Sequence, residues 1–287
     1  GERQRMTGEV WALVLTAAVG HAVWNFAARK VAGDMVVLWL AFGVGMLAWI
    51  PVCAYLWWQG QPPNLTWASG LCLLATGVLH AFYFALLGSA YEHGEISLVY
   101  PIARGSGIGL TAFIAWIGLG EEISPLGAGG IGLVFAGILC LGAPAFKRQS
   151  HGLKLALGVG LTIVCYSLVD KIGVGLMHPT YYITGMWIIG TLLRAPFVLR
   201  EENVSLPATL RAFWPYILLI GLASMGTYLL ILYAYTLGPI SYIIAARESA
   251  IIIGAGLGFI FLKERLTPCK TVGIITIAGG LALIKAS

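Results

Sequence analysis

Apolar residues run through this chain in long unbroken blocks rather than in alternation. Ten such blocks are recognisable, at residues 10–28, 36–57, 67–90, 96–118, 126–146, 153–169, 181–199, 214–235, 240–262 and 272–284. A bilayer core about 30 Å thick requires roughly 20 residues of helix per crossing, and most of the blocks approach that length. A membrane β-barrel would instead alternate apolar and polar positions. The pattern therefore predicts an all-α polytopic membrane protein with ten transmembrane helices joined by short loops.

Composition agrees with the pattern. Of the 287 residues, 59% are hydrophobic and only 10% charged, and the mean hydropathy is +0.88. Soluble domains are about 45–50% apolar and about 25% charged, so a soluble enzyme, a disordered chain and a disulfide scaffold are all excluded. The net charge of +5 is the kind that flanks membrane helices and meets anionic headgroups, and no nucleic-acid partner is expected. Five cysteines (Cys53, Cys72, Cys140, Cys165, Cys269) stand singly, without the paired spacing of a metal or redox site. No cleavable leader is expected, because the first apolar run is long enough to cross a membrane. No cofactor is indicated.

The chain repeats itself. Ala90-Tyr91, Gly94 and Ile96-Ser97 recur as Ala234-Tyr235, Gly238 and Ile240-Ser241, 144 residues later. Ala103-Arg104-Gly105-Ser106 recurs as Ala246-Arg247-Glu248-Ser249, and Glu121-Glu122-Ile123-Ser124-Pro125 as Glu264-Arg265-Leu266-Thr267-Pro268, now at 143. Gly130 and Gly137 map onto Gly273 and Gly280 at the same spacing. The first helices of each half match more weakly, with Trp24-Asn25 opposite Tyr166-Ser167 and Pro51 near Pro196. Residues 1–147 thus form a first five-helix repeat and 148–287 a second. An odd number of spans inverts the second copy in the membrane, the arrangement that secondary transporters use to present one central cavity alternately to either side.

Five-plus-five spans with an acidic turn ending in Ser/Thr-Pro before the last helix of each half resemble the drug/metabolite transporter superfamily, EamA type. Residues 121–125 and 264–268 carry that resemblance, with Tyr100-Pro101-Ile102-Ala103-Arg104-Gly105-Ser106-Gly107 similar to the fourth span of such proteins. Glu122, where a basic residue is usual, and Gly107, where proline is common, depart from the pattern. The motifs single out no subgroup; YddG-type amino-acid exporters are the nearest comparison. The resemblance implies an integral multi-pass protein, of a bacterial inner membrane, that exports or exchanges small metabolites from a cavity built by both halves.

Ionisable groups inside a bilayer cost about 2.5–3.5 kcal/mol even on lenient scales, so those present need a reason. Arg104 and Arg247 lie roughly 10–12 Å into the fourth and ninth spans, at 1.5 Å per residue, in matched repeat positions. Glu248 adjoins Arg247 in sequence but diverges from it by about 100° on a helix; a cross-repeat pair of Arg104 with Glu248 is geometrically possible and would neutralise both. The alternative is that an arginine receives a substrate carboxylate or phosphate. Polar aromatic residues at helical spacing complete the candidate substrate site: His21, Trp24 and Asn25 on the first span, His80 and Tyr83 on the third, and Tyr100 at the fourth. Tyr166, Tyr228 and Tyr242 add to it from the sixth, eighth and ninth. A cage of aromatic groups with a charged anchor suits an amphipathic small molecule. His80, Asp170 and Glu248 are candidate carriers of a coupling proton, His80 because its ordinary pKa lies near 6.5. Trp57, Trp58, Trp67 and Trp214 read as interfacial belt residues. Ala128, Gly132 and Ala136 form one small-residue packing face; Gly105 with Gly109 and Gly254 with Gly258 mark others. Pro51, Pro101 and Pro196 are candidate kinks.

The expected function is transport of small amphipathic metabolites, most simply amino acids, by alternating access, with organic-anion, phosphonate or multidrug efflux as the alternative. An intramembrane enzyme is disfavoured because HExxH and GxSxG are missing and the histidines are scattered. Expected partners are a small-molecule substrate and membrane lipid, with the protein a monomer or weak homodimer. Orientation is contested. Ten Lys/Arg lie on the side opposite the termini and four on the terminal side, which places the termini outside by the positive-inside rule; the family resemblance implies cytoplasmic termini.

Overall fold

The computed structural model describes residues 5–31, 34–93, 96–143, 150–200, 205–262 and 267–287; a few side chains within those helices, including Arg29 and residues 91–101, fall outside the description. Eleven helices occupy it: α1 (Gly8–Lys30), α2 (Met35–Trp58), α3 (Trp67–His93), α4 (Ile96–Gly118), α5 (Pro125–Gly142), α6 (Ser150–Leu176), α7 (Pro179–Val198), α8 (Leu206–Leu237), α9 (Ile240–Ala246), α10 (Ser249–Leu262) and α11 (Pro268–Ala286). Seven are long and apolar enough to cross a membrane, and Ile102–Gly118 of α4 is a shorter apolar stretch. With Trp58 81% and Trp67 88% exposed, alongside exposed Leu47, Phe82, Leu192 and Phe197, the apolar outer surface requires lipid as its solvent.

Helix starts follow from local chemistry, and the repeat reuses it. The Ser124 hydroxyl accepts from Gly127 N and Pro125 opens α5; the Thr267 hydroxyl accepts from Lys270 N and Pro268 opens α11. Likewise Asp34 caps α2 through Val36 N and Val37 N, and His178, 144 residues later, caps α7 through Thr180 N ahead of Pro179. In each case a side-chain acceptor satisfies donors that the first turn leaves unpaired, and proline at N1 sacrifices none. Pro51 and Pro196 lie inside α2 and α7, which run on past them.

Packing relates corresponding helices in opposite directions. A Cβ on Gly130 would stand 2.7 Å from Gly280 O, and one on Gly137 would stand 2.7 Å from Gly273 O. The order reverses between the two helices, so α5 and its repeat counterpart α11 run antiparallel at close approach. α2 and its counterpart α7 do the same: Trp39 Nε1 donates to Thr191 O, while Cys53, further along α2, meets Thr184 near the start of α7. The face that sequence spacing suggests on α5 is corrected here. Gly132 has open space around it, and the glycines at 130 and 137 make the seam. Gly254 is similarly open, and Gly105 makes ordinary van der Waals contact with Phe135.

The stretch predicted as the ninth span is not one helix. Glu248 N donates to Ala245 O, Ala250 N to Arg247 O and Ile251 N to Glu248 O, an i→i−3 pattern that tightens the ladder between α9 and α10. Such mid-span 3₁₀ segments mark functional positions, and this one falls on Arg247 and Glu248. Its counterpart α4 is continuous.

Candidate functional site

Helices α3, α6, α7 and α8 contribute a cluster of aromatic rings, the chamber, whose His80 and Trp187 also line a cavity between α2, α3 and α7. The His80 ring lies 4.2 Å from Tyr166 and 5.6 Å from Tyr228, centroid to centroid. Trp187 stands 6.1 Å from Tyr228, and Tyr83 stands 5.7 Å from Tyr166. Nδ1 of His80 sits 2.9 Å from Thr76 O. The Thr76 hydroxyl also lies 3.1 Å from Nδ1, so the same nitrogen meets one group that only accepts and one that can donate, and either tautomer finds a partner.

Asp170 of α6 is fully buried beside this chamber. Tyr182 donates to its Oδ1 at 3.0 Å, and Tyr228 donates to its Oδ2. These two hydroxyl donors offset part of the cost of burying a carboxyl group. The next residue, Lys171, turns the other way: its ammonium donates to Tyr235 O and Gly238 O, satisfying carbonyls at the end of α8 and complementing that helix's dipole.

The second charged group is Arg104 of α4 with Glu248 at the α9–α10 break. Arg104 Nε donates to Oε2 at 3.3 Å and Nη2 donates to Oε1. Glu248 is 1% exposed, so the two-point contact neutralises both charges where water cannot. It ties the first half of the chain to the second. Arg247 points elsewhere: Nη1 donates to Tyr235 OH at 3.3 Å, and its guanidinium lies over the Tyr228 ring at 5.6 Å. Among the described residues Arg247 has no carboxylate partner. Tyr228 therefore stands between a cation at its face and a carboxylate at its hydroxyl.

The other predicted residues divide. His21 lies within electrostatic reach of Arg104 and Arg247, at the edge of the charged group. Trp24 stacks edge-on with His21 at 5.1 Å but packs into the α1–α2–α8 core, and Asn25 returns its amide to His21 O; these two are structural in this geometry rather than chamber residues. Tyr242 is a further correction. Its hydroxyl accepts from Ser124 N at 3.0 Å, so it sits over the α4–α5 turn, away from the chamber. The side chain of Tyr100 lies outside the described residues, as do Gly258 and residues 264–266 of the second acidic turn.

That α4–α5 turn holds a residue whose role the sequence did not reveal. Glu121 is 8% exposed and accepts from Ile240 N at 2.7 Å, Ser241 N at 3.1 Å and Ser241 Oγ at 2.6 Å. A carboxylate at the start of α9 meets unpaired donors and the positive end of the dipole, closing the seam between the halves on that side. Arg194, Trp187, Tyr182 and Tyr235 were likewise not anticipated.

Comparison with known proteins now fits this architecture. The profile of the EamA-like transporter family matches residues 7–143 and again 150–286, and the chain belongs to that family. It is a multi-pass integral membrane protein of a transporter family within the drug/metabolite transporter superfamily. It is 29% identical over 105 residues to the spermidine export protein MdtI of Cronobacter sakazakii (strain ATCC BAA-894), a match spanning 37% of this chain and 90% of that one. A solved crystal structure superimposes with a TM-score of 0.73 at 16% identity, covering 98% of both chains; at that identity the likeness is one of fold.

Proposed function

We propose that the chain is a secondary transporter that exports or exchanges small zwitterionic metabolites, amino acids first among them. In this reading ten spans cross the bilayer, with α9 and α10 together forming the ninth. The halves at 1–147 and 148–287 rock about their shared seams to expose the chamber to each side in turn. The observation that carries the substrate class is the placement of Arg247 and Asp170 on either side of Tyr228. A carboxylate matches the guanidinium, an ammonium matches the buried acid, and the apolar part of the solute finds the His80, Tyr166 and Trp187 rings. His80 and Asp170 are the proton carriers in this scheme; Glu248 is committed to Arg104.

The spermidine exporter among the relatives suggests a second reading, a polyamine substrate. Charge opposes it. Among the described residues Glu248 is committed to Arg104 and Glu121 to the first turn of α9, which leaves Asp170 as the buried carboxylate against Arg194 and Arg247; a polycation needs the reverse balance.

Counterflow in proteoliposomes tests the choice. Vesicles are loaded with pooled L-amino acids, with organic anions or with spermidine. Saturable, stereoselective exchange of an amino acid that fails in Arg247→Ala supports the reading. Exchange confined to spermidine, or flux without saturation, refutes it.

A further inference from the structure

A cavity opens between α2, α3 and α7, and His80 and Trp187 of the aromatic chamber form part of its wall. Its wall includes Phe42, Phe84, Trp187, Gly190, Thr191 and Arg194. The Arg194 guanidinium lies 4.7 Å from the Phe42 ring centroid and 4.8 Å from that of Phe84, held between two aromatic faces. Only its Nε is engaged, with Gly190 O at 3.3 Å. Its terminal nitrogens have no hydrogen-bond acceptor among the described residues. Two more polar atoms of the same wall are buried without a partner there: Trp187 Nε1 and Thr191 Oγ1, the latter on a residue 7% exposed. Residues 187, 191 and 194 share one face of α7 by their spacing. At Gly190 an added Cβ would meet nothing within 4 Å, so the space in front of Arg194 is open.

Buried donors left unpaired are costly, and here two of them, Trp187 Nε1 and Thr191 Oγ1, belong to the wall that also carries the Arg194 guanidinium. We propose that this cavity is an oxyanion subsite. It takes a carboxylate or phosphate group, with Arg194 supplying the paired N–H fork and Trp187 and Thr191 further donors. Phe42 and Phe84 orient the guanidinium and cover the flat apolar body that carries the anion. Two sources share this chemistry: a transported organic acid pausing on its way to or from the chamber, and a lipid headgroup, since Arg194 lies four residues from the end of α7. The subsite's place in transport rests on the reading above; its ligand chemistry does not.

Equilibrium binding to the purified full chain tests it without any flux measurement. Benzoate, and benzamide as its uncharged match, are titrated against tryptophan fluorescence, first in phosphate-free sugar detergent. The expected result is saturable benzoate binding that exceeds benzamide binding by about tenfold and weakens by a similar factor in Arg194→Gln, the loss of a charge-assisted pair. Arg194→Lys restores part of it. Gly190→Val fills the void and abolishes binding while Arg194 stays, which guards against a Gln variant that fails to fold. Repeating the titration in nanodiscs rich in phosphatidylglycerol assigns the source: unchanged affinity points to a solute acid, and competitive loss points to the headgroup. Equal binding of benzamide, no benzoate binding, or binding indifferent to both Arg194→Gln and Gly190→Val overturns the proposal. Transport of amino acids can succeed or fail independently of any of these outcomes.

Discussion

Glu121 and Ser241, 120 residues apart, meet in a double contact: the carboxylate accepts both the backbone N–H and the hydroxyl of Ser241. Ile240 N adds a third bond, and nearby Tyr242 grips Ser124. One turn of the first half thereby latches onto the first turn of α9. Any movement that opens the bundle on this side has to break the latch.

Glu121→Gln retains the shape but removes the charge that favours the start of α9. We expect a loss of about 1–3 kcal/mol at the seam, seen as a lower midpoint of thermal unfolding in detergent. Glu121→Asp, one methylene shorter, should lose the Ser241 hydroxyl contact and fall between the two.

The Arg104–Glu248 pair should behave as a coupled unit. Removing one partner strands a buried charge, so Arg104→Met or Glu248→Leu alone should cost about 3–5 kcal/mol. The double variant should recover most of that loss. A double-mutant cycle on unfolding measures it, and simple additivity would show that the two side chains act independently.

The glycine seam separates positions that look alike in sequence. Gly280→Ala drives a Cβ to 2.6 Å from Gly130 O and should destabilise by about 1–3 kcal/mol through overpacking against backbone. Gly132→Ala and Gly254→Ala have room and should leave the unfolding midpoint unchanged or raised.

His178 gives the fold a pH dependence. Partial burial holds its pKa below the ordinary 6.5, and its Nδ1 accepts from Thr180 N to cap α7. The unfolded chain binds the proton more readily, so this contribution is complete above about pH 6.5 and declines as the pH falls below it. Between pH 7.5 and 5.5 the unfolding midpoint should drop further in the parent than in His178→Asn, which caps without titrating. The group is only partly buried, so the difference should be small, and it should have this sign.

The apolar blocks, the repeat and the Arg104–Glu248 pairing were legible because each rests on spacing, which survives folding unchanged. The α9–α10 break was not, since residues 240–262 read as one apolar run and its i→i−3 bonds leave no trace in composition. Small residues cover several faces of α5, so periodicity could not choose Gly130 and Gly137 over Gly132. Arg194 near a helix end reads as a side chain reaching for headgroups, and only the two phenylalanines from α2 and α3 reveal its setting. Tyr242 looked like a chamber residue by type; its partner Ser124 is 118 residues distant, beyond any local pattern.

Alternating exposure of the two sides is the claim on which the account stands. Single cysteines at Ala81, in the wall of the Arg194 cavity, and at Ile240, buried beside the latch and joined to it through its backbone N–H, can be introduced into a chain with its native cysteines replaced and labelled with a membrane-impermeant maleimide in oriented vesicles. With Glu121→Gln added to unfasten the latch, labelling at 240 should rise while labelling at 81 falls. Parallel changes at both positions, or none at either, would contradict it.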